Sequence, residues 1–220
     1  MSFWLKIIVG AAVVAAAKAA TSRGADAPST AANPPSTVLE TNLKRLRSEL
    51  ADKISLPRIA IMGQAGAGKS TLLKKITANQ VRPTPVIGSQ TDATTWADDP
   101  SVALLHWWKR AVFVDVPGYG TPSHPIEPMS AHFPADQISH AIFVIKGKIR
   151  ADDIKMHRVL RDSGVPFVIV RTYADELDRE VAAADIRSHL GLPTTVSICF
   201  ADNRTDLGLN VLSSMVKAWM

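Results

Sequence analysis

The sequence predicts an α/β fold in which a mostly parallel β-sheet carries helices on both faces. From about residue 38 onward, short apolar runs alternate with segments of helical periodicity, an order typical of strand–helix–strand units. The apolar runs are nearly uninterrupted, as expected for strands that are buried on both faces. Strands are predicted at Arg58–Met62, Ala111–Asp115, Ala141–Lys146, Pro166–Arg171 and Thr195–Phe200, and helices at Lys69–Asn79, Asp152–Ser163, Glu176–Leu190 and Leu207–Trp219.

The composition narrows the class of protein. The chain has 220 residues, of which 46% are hydrophobic and 20% charged, enough for one domain with a sizeable core. Its one cysteine, Cys199, excludes a disulfide scaffold and a multi-cysteine zinc site. The formal net charge of +5 is mild for this length, so nucleic acid is not indicated as a partner.

Residues 1–20 form an apolar segment that only Lys6 and Lys18 interrupt. A signal peptide, a spanning helix and an interfacial or docking helix are the alternative interpretations. The 18 residues from Phe3 to Ala20 would give roughly 27 Å of helix, which is marginally enough to cross a bilayer. Basic residues follow the segment, so we expect a single N-terminal membrane anchor with the following domain on the cytoplasmic side. A soluble cytoplasmic protein is the alternative. Residues 21–37 are rich in Ala, Ser, Thr and Pro and are predicted to be a flexible linker.

An amphipathic helix is predicted over residues 38–55. Apolar residues recur there at intervals of three or four positions, and the outer face is basic. The stripe consists of Leu39, Leu43, Leu46, Leu50 and Ile54. Although such a stripe is able to start a coiled coil, so short a run favours packing onto its own domain.

Residues 63–70, GQAGAGKS, match the phosphate-binding pattern G-x-x-x-x-G-K-[ST] and stand between an apolar strand and a helix. The glycines allow successive backbone N–H groups to face phosphate oxygens, and the N-terminus of the helix adds positive potential. We expect Lys69 to reach the β- and γ-phosphates as a catalytic group and the Ser70 hydroxyl to bind Mg²⁺. The predicted nucleotide contacts of this P-loop are Gly63, Gln64, Ala65, Gly66, Ala67, Gly68, Lys69, Ser70 and Thr71.

A second motif, DVPGYG at residues 115–120, ends the apolar strand AVFVD. A carboxylate at this point of a parallel sheet faces the phosphate loop of the next strand, so Asp115 is predicted to hold Mg²⁺. Gly118 leaves room for its backbone N–H to meet a γ-phosphate, which makes it a candidate for catalysis and for sensing the nucleotide. A plain turn is the structural alternative.

A third motif, TYAD at residues 172–175, ends the strand VPFVIV. The carboxylate of Asp175 is able to accept hydrogen bonds from N1 and the exocyclic amino group of guanine, a donor pair that adenine lacks. Thr172 and Tyr173 are predicted to belong to the same base site. Taken alone, Asp175 is equally suited to capping a helix.

The order GQAGAGKS, DVPGYG, TYAD resembles the G1, G3 and G4 motifs of translation-factor-class P-loop GTPases over residues 56–220. DVPGYG is similar to the motif of Era-like GTPases, and residues 149–177 are similar in layout to the interferon-inducible, immunity-related GTPases. The resemblance implies a small G domain that binds GTP and GDP with Mg²⁺. It also implies Thr94 as the catalytic and metal-binding switch threonine, and base contacts from Ala201 and Asp202. Tyr173 replaces the lysine of the fourth motif, and its ring is suited to stacking on a purine.

The same resemblance implies slow hydrolysis. Tyr119 stands where many G proteins carry a water-orienting glutamine, and Gly66 stands where some relatives carry an asparagine that recruits potassium. Ser123 and His124 are loop candidates for approaching the γ-phosphate. We therefore expect a membrane-associated switch that turns GTP over slowly to GDP and phosphate, helped in trans by a second copy or an activating protein. The alternatives are a scaffold that binds nucleotide without hydrolysing it, and a P-loop ATPase or kinase.

Overall fold

The computed structural model describes residues 37–88, 95–175 and 177–220. A short 3₁₀ turn at Ala135–Gln137 accompanies the regular elements. In chain order these are α1 (Val38–Ala51), β1 (Arg58–Gly63), α2 (Lys69–Ile76), β2 (His106–Trp108), β3 (Ala111–Asp115), α3 (Ile126–His132), β4 (His140–Ile145), α4 (Ala151–Asp162), β5 (Phe167–Arg171), α5 (Arg179–Leu190), β6 (Ile198–Phe200) and α6 (Leu209–Ala218).

The strands form one six-stranded sheet in the order β2-β3-β1-β4-β5-β6. β1 pairs with β3 and β4 in parallel, and β4–β5 and β5–β6 are also parallel pairs. β2 pairs antiparallel with β3 at the sheet edge. The predicted mostly parallel α/β fold is therefore confirmed.

Side chains of β1 alternate between the two faces of the sheet, as the pleat of a strand requires. Ile59 and Ile61 join the core beneath α2 and α6, whereas Ala60 and Met62 join the larger core beneath α1, α3, α4 and α5. Burial on both faces explains why the parallel strands read as continuous apolar runs.

Helix α1 is an integral part of the larger core. Thr37 caps its N-terminus with Glu40 in a capping box, and the four leucines of the predicted stripe are buried. The Asn42 amide also donates to the carbonyl oxygens of Trp96 and Asp99, at 2.8 and 2.9 Å. The stripe therefore faces its own domain.

The prediction of Ile54 as the last member of that stripe is wrong. The helix ends at Ala51, the chain turns over residues 52–55, and Ile54 is 74% exposed. Leu56 packs against the core instead, just before β1 begins. The apolar spacing in the sequence continues to Ile54, but by that position the chain has left the helix and turns toward β1.

Three predicted ends move inward by three residues each, for local reasons. α2 ends at Ile76 rather than Asn79, because Ala78 and Asn79 adopt left-handed backbone with φ of 50° and 60°. α5 begins after Asp178, whose carboxylate accepts hydrogen bonds from two N–H groups of the first turn. β6 covers only the second half of its predicted range, since a turn at Pro193 occupies the first half.

The predicted membrane anchor and nearly all of the predicted linker lie outside the described residues. Among the helices within residues 37–220 that the structure describes, none combines the length and apolarity needed to cross a membrane.

Candidate functional site

The predicted motif residues meet at one edge of the sheet. Gly63 ends β1, Asp115 ends β3, Thr172 follows β5 and Ala201 follows β6. Because these strands are parallel, their carboxyl ends open on the same crevice, where ligands bind in folds of this type. Thr94 lies outside the described residues, so its predicted role stays a prediction.

The P-loop has the curled backbone that the glycine pattern predicts. Gly68 has a φ of 85°, in the left-handed region, and stands at the N-cap of α2. The Lys69 ammonium donates to the carbonyl oxygens of Gly63 and Gln64 at 3.0 and 2.9 Å and is largely buried. Lys69, Ser70 and Thr71 form the first turn of α2. The loop therefore holds the lysine across its own backbone, beside the cradle that its N–H groups form.

Two predicted metal ligands are adjacent. The Ser70 hydroxyl donates to a carboxylate oxygen of Asp115 at 2.6 Å, and Asp115 is 1% exposed. A hydroxyl and a carboxylate are hard oxygen ligands of the kind that Mg²⁺ takes together with substrate phosphates and water. No cluster of three or more His, Cys, Asp or Glu side chains suited to a metal occurs in the part of the chain that the structure describes. The donor set fits a nucleotide-bound Mg²⁺ better than an all-protein metal cage.

The loop after β3 lies directly against the P-loop. A Cβ atom added at Gly118 would lie 2.6 Å from both the backbone nitrogen and the Cβ of Ala65, and closer still to its Cα. Gln64 and Tyr119 form an isolated parallel β-bridge at the same place. Only glycine allows this approach, which brings the Gly118 backbone to the phosphate cradle.

The Tyr119 side chain points away from the cradle into a buried network. Its hydroxyl donates to Asp153 at 2.9 Å, and Asp153 also accepts hydrogen bonds from the Gln64 amide and the Arg150 backbone N–H. Burial, followed by the charges of Asp153 and Asp152, raises the pKa of Tyr119 well above its ordinary value. The tyrosine therefore stays a neutral donor that ties the loop after β3 to α4, where Asp153 also holds the P-loop through Gln64.

The His124 side chain is also committed to the interior. Its Nε2 atom accepts the backbone N–H of Trp96 at 2.9 Å, and the residue is fully buried. The suggestion that His124 approaches a γ-phosphate is therefore wrong in this structure. Its position between Pro122 and Pro125 in a loop gave no sign of burial, but the ring holds the backbone at Trp96.

The fourth motif is attached to the P-loop through Thr172. The Thr172 hydroxyl lies 3.0 Å from the carbonyl oxygen of Ala67 and 3.2 Å from that of Ile145. Tyr173 adopts a left-handed φ of 54° and is 41% exposed, with the Lys146 ammonium 4.5 Å from its ring centroid. Lys146 thus brings a cation to this site from the end of β4, although the fourth motif itself lacks its lysine.

Asp175 pairs with an arginine that the sequence analysis did not single out. Arg204 donates to the Asp175 carboxylate at 2.7 Å, and its guanidinium carbon lies 5.9 Å from the Tyr173 ring centroid. Asp175 and Tyr173, two of the residues predicted to hold a base, therefore contact one cationic side chain.

The loop after β6 is held by its own hydrogen bonds. Asp202 is 1% exposed and accepts the backbone N–H groups of Arg204 and Thr205 at 2.7 and 3.0 Å. Desolvation opposes ionisation of Asp202, yet these N–H groups, with the charge of Arg204, keep its pKa below the ordinary value. Ala201 is fully buried. The predicted contact of Ala201 and Asp202 with a base stays a prediction.

Asn203 is a further residue that the motif analysis missed. Its amide donates to the Gly68 carbonyl oxygen at 3.2 Å, which links this loop to the P-loop. Asp153, Asn203 and Arg204 share one property: the side chain of each contacts a segment that is distant in sequence. The two acidic residues at the start of α4 were the one available signal, and they indicated only a helix N-terminus.

A protein-family model described as "50S ribosome-binding GTPase" matches residues 58–172, from the start of β1 to the end of β5. Two curated proteins, each named "Probable GTP-binding protein EngB", are 26% identical to the chain. The one from Desulfitobacterium hafniense (strain DSM 10664 / DCB-2) matches over 136 residues, 56% of this chain and 63% of that protein. The one from Koribacter versatilis (strain Ellin345) matches over 133 residues, 55% of this chain and 64% of that protein. The chain thus spans under two thirds of the length of these relatives.

Two solved structures have the same fold. A probable GTP-binding protein engB superposes with a TM-score of 0.54 at 14% identity, covering 74% of this chain and 97% of that chain. A bacterial selenocysteine-specific elongation factor, EF-Sec, superposes with a TM-score of 0.56 at 20% identity, covering 74% of this chain and 28% of that chain. At these identities the likeness concerns the arrangement of sheet and helices.

Proposed function

The chain belongs to the 50S ribosome-binding GTPase family, and on that premise we propose that it binds GTP with Mg²⁺ and hydrolyses it slowly to GDP and phosphate. The observation that carries the proposal is the closure of two other motif loops on the P-loop. Asp115 accepts the Ser70 hydroxyl at 2.6 Å, and the Thr172 hydroxyl meets the Ala67 carbonyl oxygen at 3.0 Å. A metal carboxylate and a base-reading segment therefore flank one phosphate cradle.

Each part of the cradle has a separate task. The N–H groups of the P-loop and the positive N-terminus of α2 stabilise phosphate charge, and Lys69 adds a full positive charge there. Ser70 and Asp115 would hold Mg²⁺, which neutralises charge on the β- and γ-phosphates when it is bound. The Gly118 N–H would meet the γ-phosphate, a role supported by its close approach to the P-loop, which leaves no room for a side chain.

Guanine selectivity is assigned to Asp175. Asp175→Asn removes one acceptor and supplies a donor, so GTP affinity should fall by about 2–4 kcal/mol while xanthine nucleotides gain. Isothermal titration with GDP, XDP and ADP measures this exchange. Unchanged GDP affinity in the variant would refute the base-reading role of Asp175. ADP affinity equal to that of GDP in the wild type would favour a P-loop ATPase or kinase instead.

Slow turnover is inferred from the two side chains that the sequence suggests beside the expected γ-phosphate site. Tyr119 is a neutral donor to Asp153, and His124 accepts the Trp96 amide, so both are engaged elsewhere. A water-orienting group then has to come from a second copy of the chain or from an activating protein. The finer likeness to Era-like and immunity-related GTPases stays a prediction.

A second candidate function, nucleotide binding without turnover, is favoured by the same two engaged side chains. One experiment separates it from hydrolysis: identify the nucleotide that co-purifies with the protein, then follow γ-phosphate release in single turnover with and without Mg²⁺. GDP in the purified protein and slow, Mg²⁺-dependent release support the GTPase. Retained GTP with no release identifies the scaffold, and equal GTP affinity with and without EDTA contradicts the metal assignment.

The expected location is proposed from residues 1–20 alone, because that segment is apolar enough to partition into a bilayer. Membrane fractionation of the full chain and of a chain that begins at residue 21 tests this. If only detergent releases the full chain from the membrane fraction, the segment is a spanning anchor. If carbonate releases it, the segment is an interfacial helix. A full chain that stays soluble at low salt refutes membrane attachment.

A further inference from the structure

One side chain at the proposed base site is suited to compete with a nucleotide base. We propose that Arg204 occupies the position of a guanine base and so lowers the affinity for guanine nucleotides; this rests on the proposed assignment of Asp175 and Tyr173 to the base. The Arg204 guanidinium donates to Asp175 at 2.7 Å and lies 5.9 Å from the centroid of the Tyr173 ring. One planar group thus makes a carboxylate contact and a ring contact at once.

The chemistry of the two competitors is closely matched. The N1, C2 and exocyclic amino atoms of guanine form a planar unit with two N–H donors, and a guanidinium is a planar unit with N–H donors of the same spacing. A carboxylate pairs with either, and the face of an aromatic ring accepts either. Because the Arg204 guanidinium already holds a carboxylate oxygen of Asp175 and lies against the ring of Tyr173, a base that uses the same oxygen and the same ring face competes with it.

The structure also provides the means of displacement. The Arg204 guanidinium also lies 3.7 Å from a carboxylate oxygen of the buried Asp202. The Arg204 side chain is 65% exposed, however, so solvent weakens its ion pairs with both Asp202 and Asp175, the latter being 26% exposed. Its backbone is anchored separately, since Asp202 accepts the Arg204 N–H at 2.7 Å and the Thr205 N–H at 3.0 Å. The side chain is therefore able to swing into solvent while the loop stays in place.

Lys146 distinguishes this arrangement from an ordinary surface ion pair. Its ammonium lies 4.5 Å from the Tyr173 ring centroid and keeps that ring in contact with a cation whether or not Arg204 is present. Asp175 lacks such a second partner, because within the described residues its side chain contacts Arg204 alone. The loss of Arg204 is therefore expected to free the carboxylate for a base while the ring stays supported.

The test compares nucleotide affinities of the full-length wild type and Arg204→Ala after removal of bound nucleotide. An exposed ion pair and an exposed cation–π contact each contribute little, so we expect about 3- to 10-fold tighter GDP binding in the variant. The gain for ADP should be smaller, because adenine does not use the Asp175 carboxylate. Arg161→Ala is the matched control: it breaks an exposed ion pair with Asp162 in α4 and should leave GDP affinity unchanged.

A double-mutant cycle links the gain to Asp175. In an Asp175→Asn background, Arg204→Ala should change XDP affinity by less than it changes GDP affinity in the wild type. Unchanged or weaker GDP binding in Arg204→Ala overturns the inference, as does an equal gain for ADP. If the wild type binds no guanine nucleotide, the proposed function fails instead, and the two failures are distinguished by the wild-type titration alone.

Discussion

Gly118→Ala tests the contact between the P-loop and the loop after β3. The φ of Gly118 is outside the left-handed region, so alanine would adopt the backbone without strain. The cost is steric: the new methyl carbon would lie 2.6 Å from both the backbone nitrogen and the Cβ of Ala65. Neither atom is the end of a flexible side chain, so one of the two loops has to move.

The size of that movement sets the expected effect. Non-bonded carbon atoms settle at about 3.5–4.0 Å, so the loops must separate by about 1 Å. Overpacking of this kind lowers the free energy of unfolding by about 1–3 kcal/mol. A displacement of about 1 Å at a reacting centre costs about 100-fold in rate, so GTP turnover should fall by that factor. GDP affinity should fall less, because GDP lacks the γ-phosphate that the Gly118 N–H is proposed to meet.

Urea unfolding, titration with GDP and a GTP analogue, and single-turnover phosphate release measure the three effects. Gly164→Ala is a control for backbone strain, since Gly164 has a φ of 68° and open space around its Cβ position. Adding Ala65→Gly to Gly118→Ala removes one of the clashing atoms and should restore part of the stability. Wild-type stability and wild-type preference for the GTP analogue in Gly118→Ala would refute the close approach of the two loops.

Three further predictions concern the residues around this contact and the core. Tyr119→Phe should cost about 0.5–1.5 kcal/mol of unfolding free energy and leave phosphate release unchanged, whereas Asp153→Ala should cost more, because it strands buried donors; equal costs in urea unfolding would contradict the network. The hydrogen-bonded ion pair with Arg47 of α1 lowers the pKa of Asp136 to about 2. Asp136→Asn should therefore lower the free energy of unfolding by under about 1 kcal/mol above pH 4. This difference between variant and wild type should disappear as the pH falls through about 2. Leu46→Ala should cost about 2–5 kcal/mol in the same assay and Ile54→Ala almost nothing, since the first is fully buried and the second is 74% exposed; similar losses would return Ile54 to the core.

The strands of the sheet were predictable because burial on both faces requires nearly continuous runs of apolar residues. The bounds of β3, Ala111–Asp115, agree with the prediction at both ends, since every residue of that strand is buried. β2 was not assigned, because it has three residues, of which Trp107 is 42% exposed. A short antiparallel edge strand carries too few residues for a periodic signal. Helix α3 escaped prediction for a related reason, as its seven residues include Pro128 and follow Pro125.

The candidate site was predictable in its backbone and charged parts. Gly63–Ser70 and Asp115 depend on local turns at strand ends, and a parallel sheet brings such ends together without any further information. The partners of Tyr119 and His124 were not predictable. Each lies in a loop, and each is held by an atom 28 or more positions away in sequence. Periodicity and motif spacing record local geometry, and these contacts depend on the tertiary packing of three loops.

Tyr119 and His124 have a common role in the structure. Tyr119 joins the loop after β3 to α4 through Asp153, and His124 joins the same loop to the chain at Trp96. In both cases a side chain of the loop after β3 restrains the backbone of that loop through a distant partner. A loop that is held on both sides changes position only if both contacts change. The activating group that we propose to come in trans would therefore add chemistry at the γ-phosphate without breaking the contacts that hold the loop.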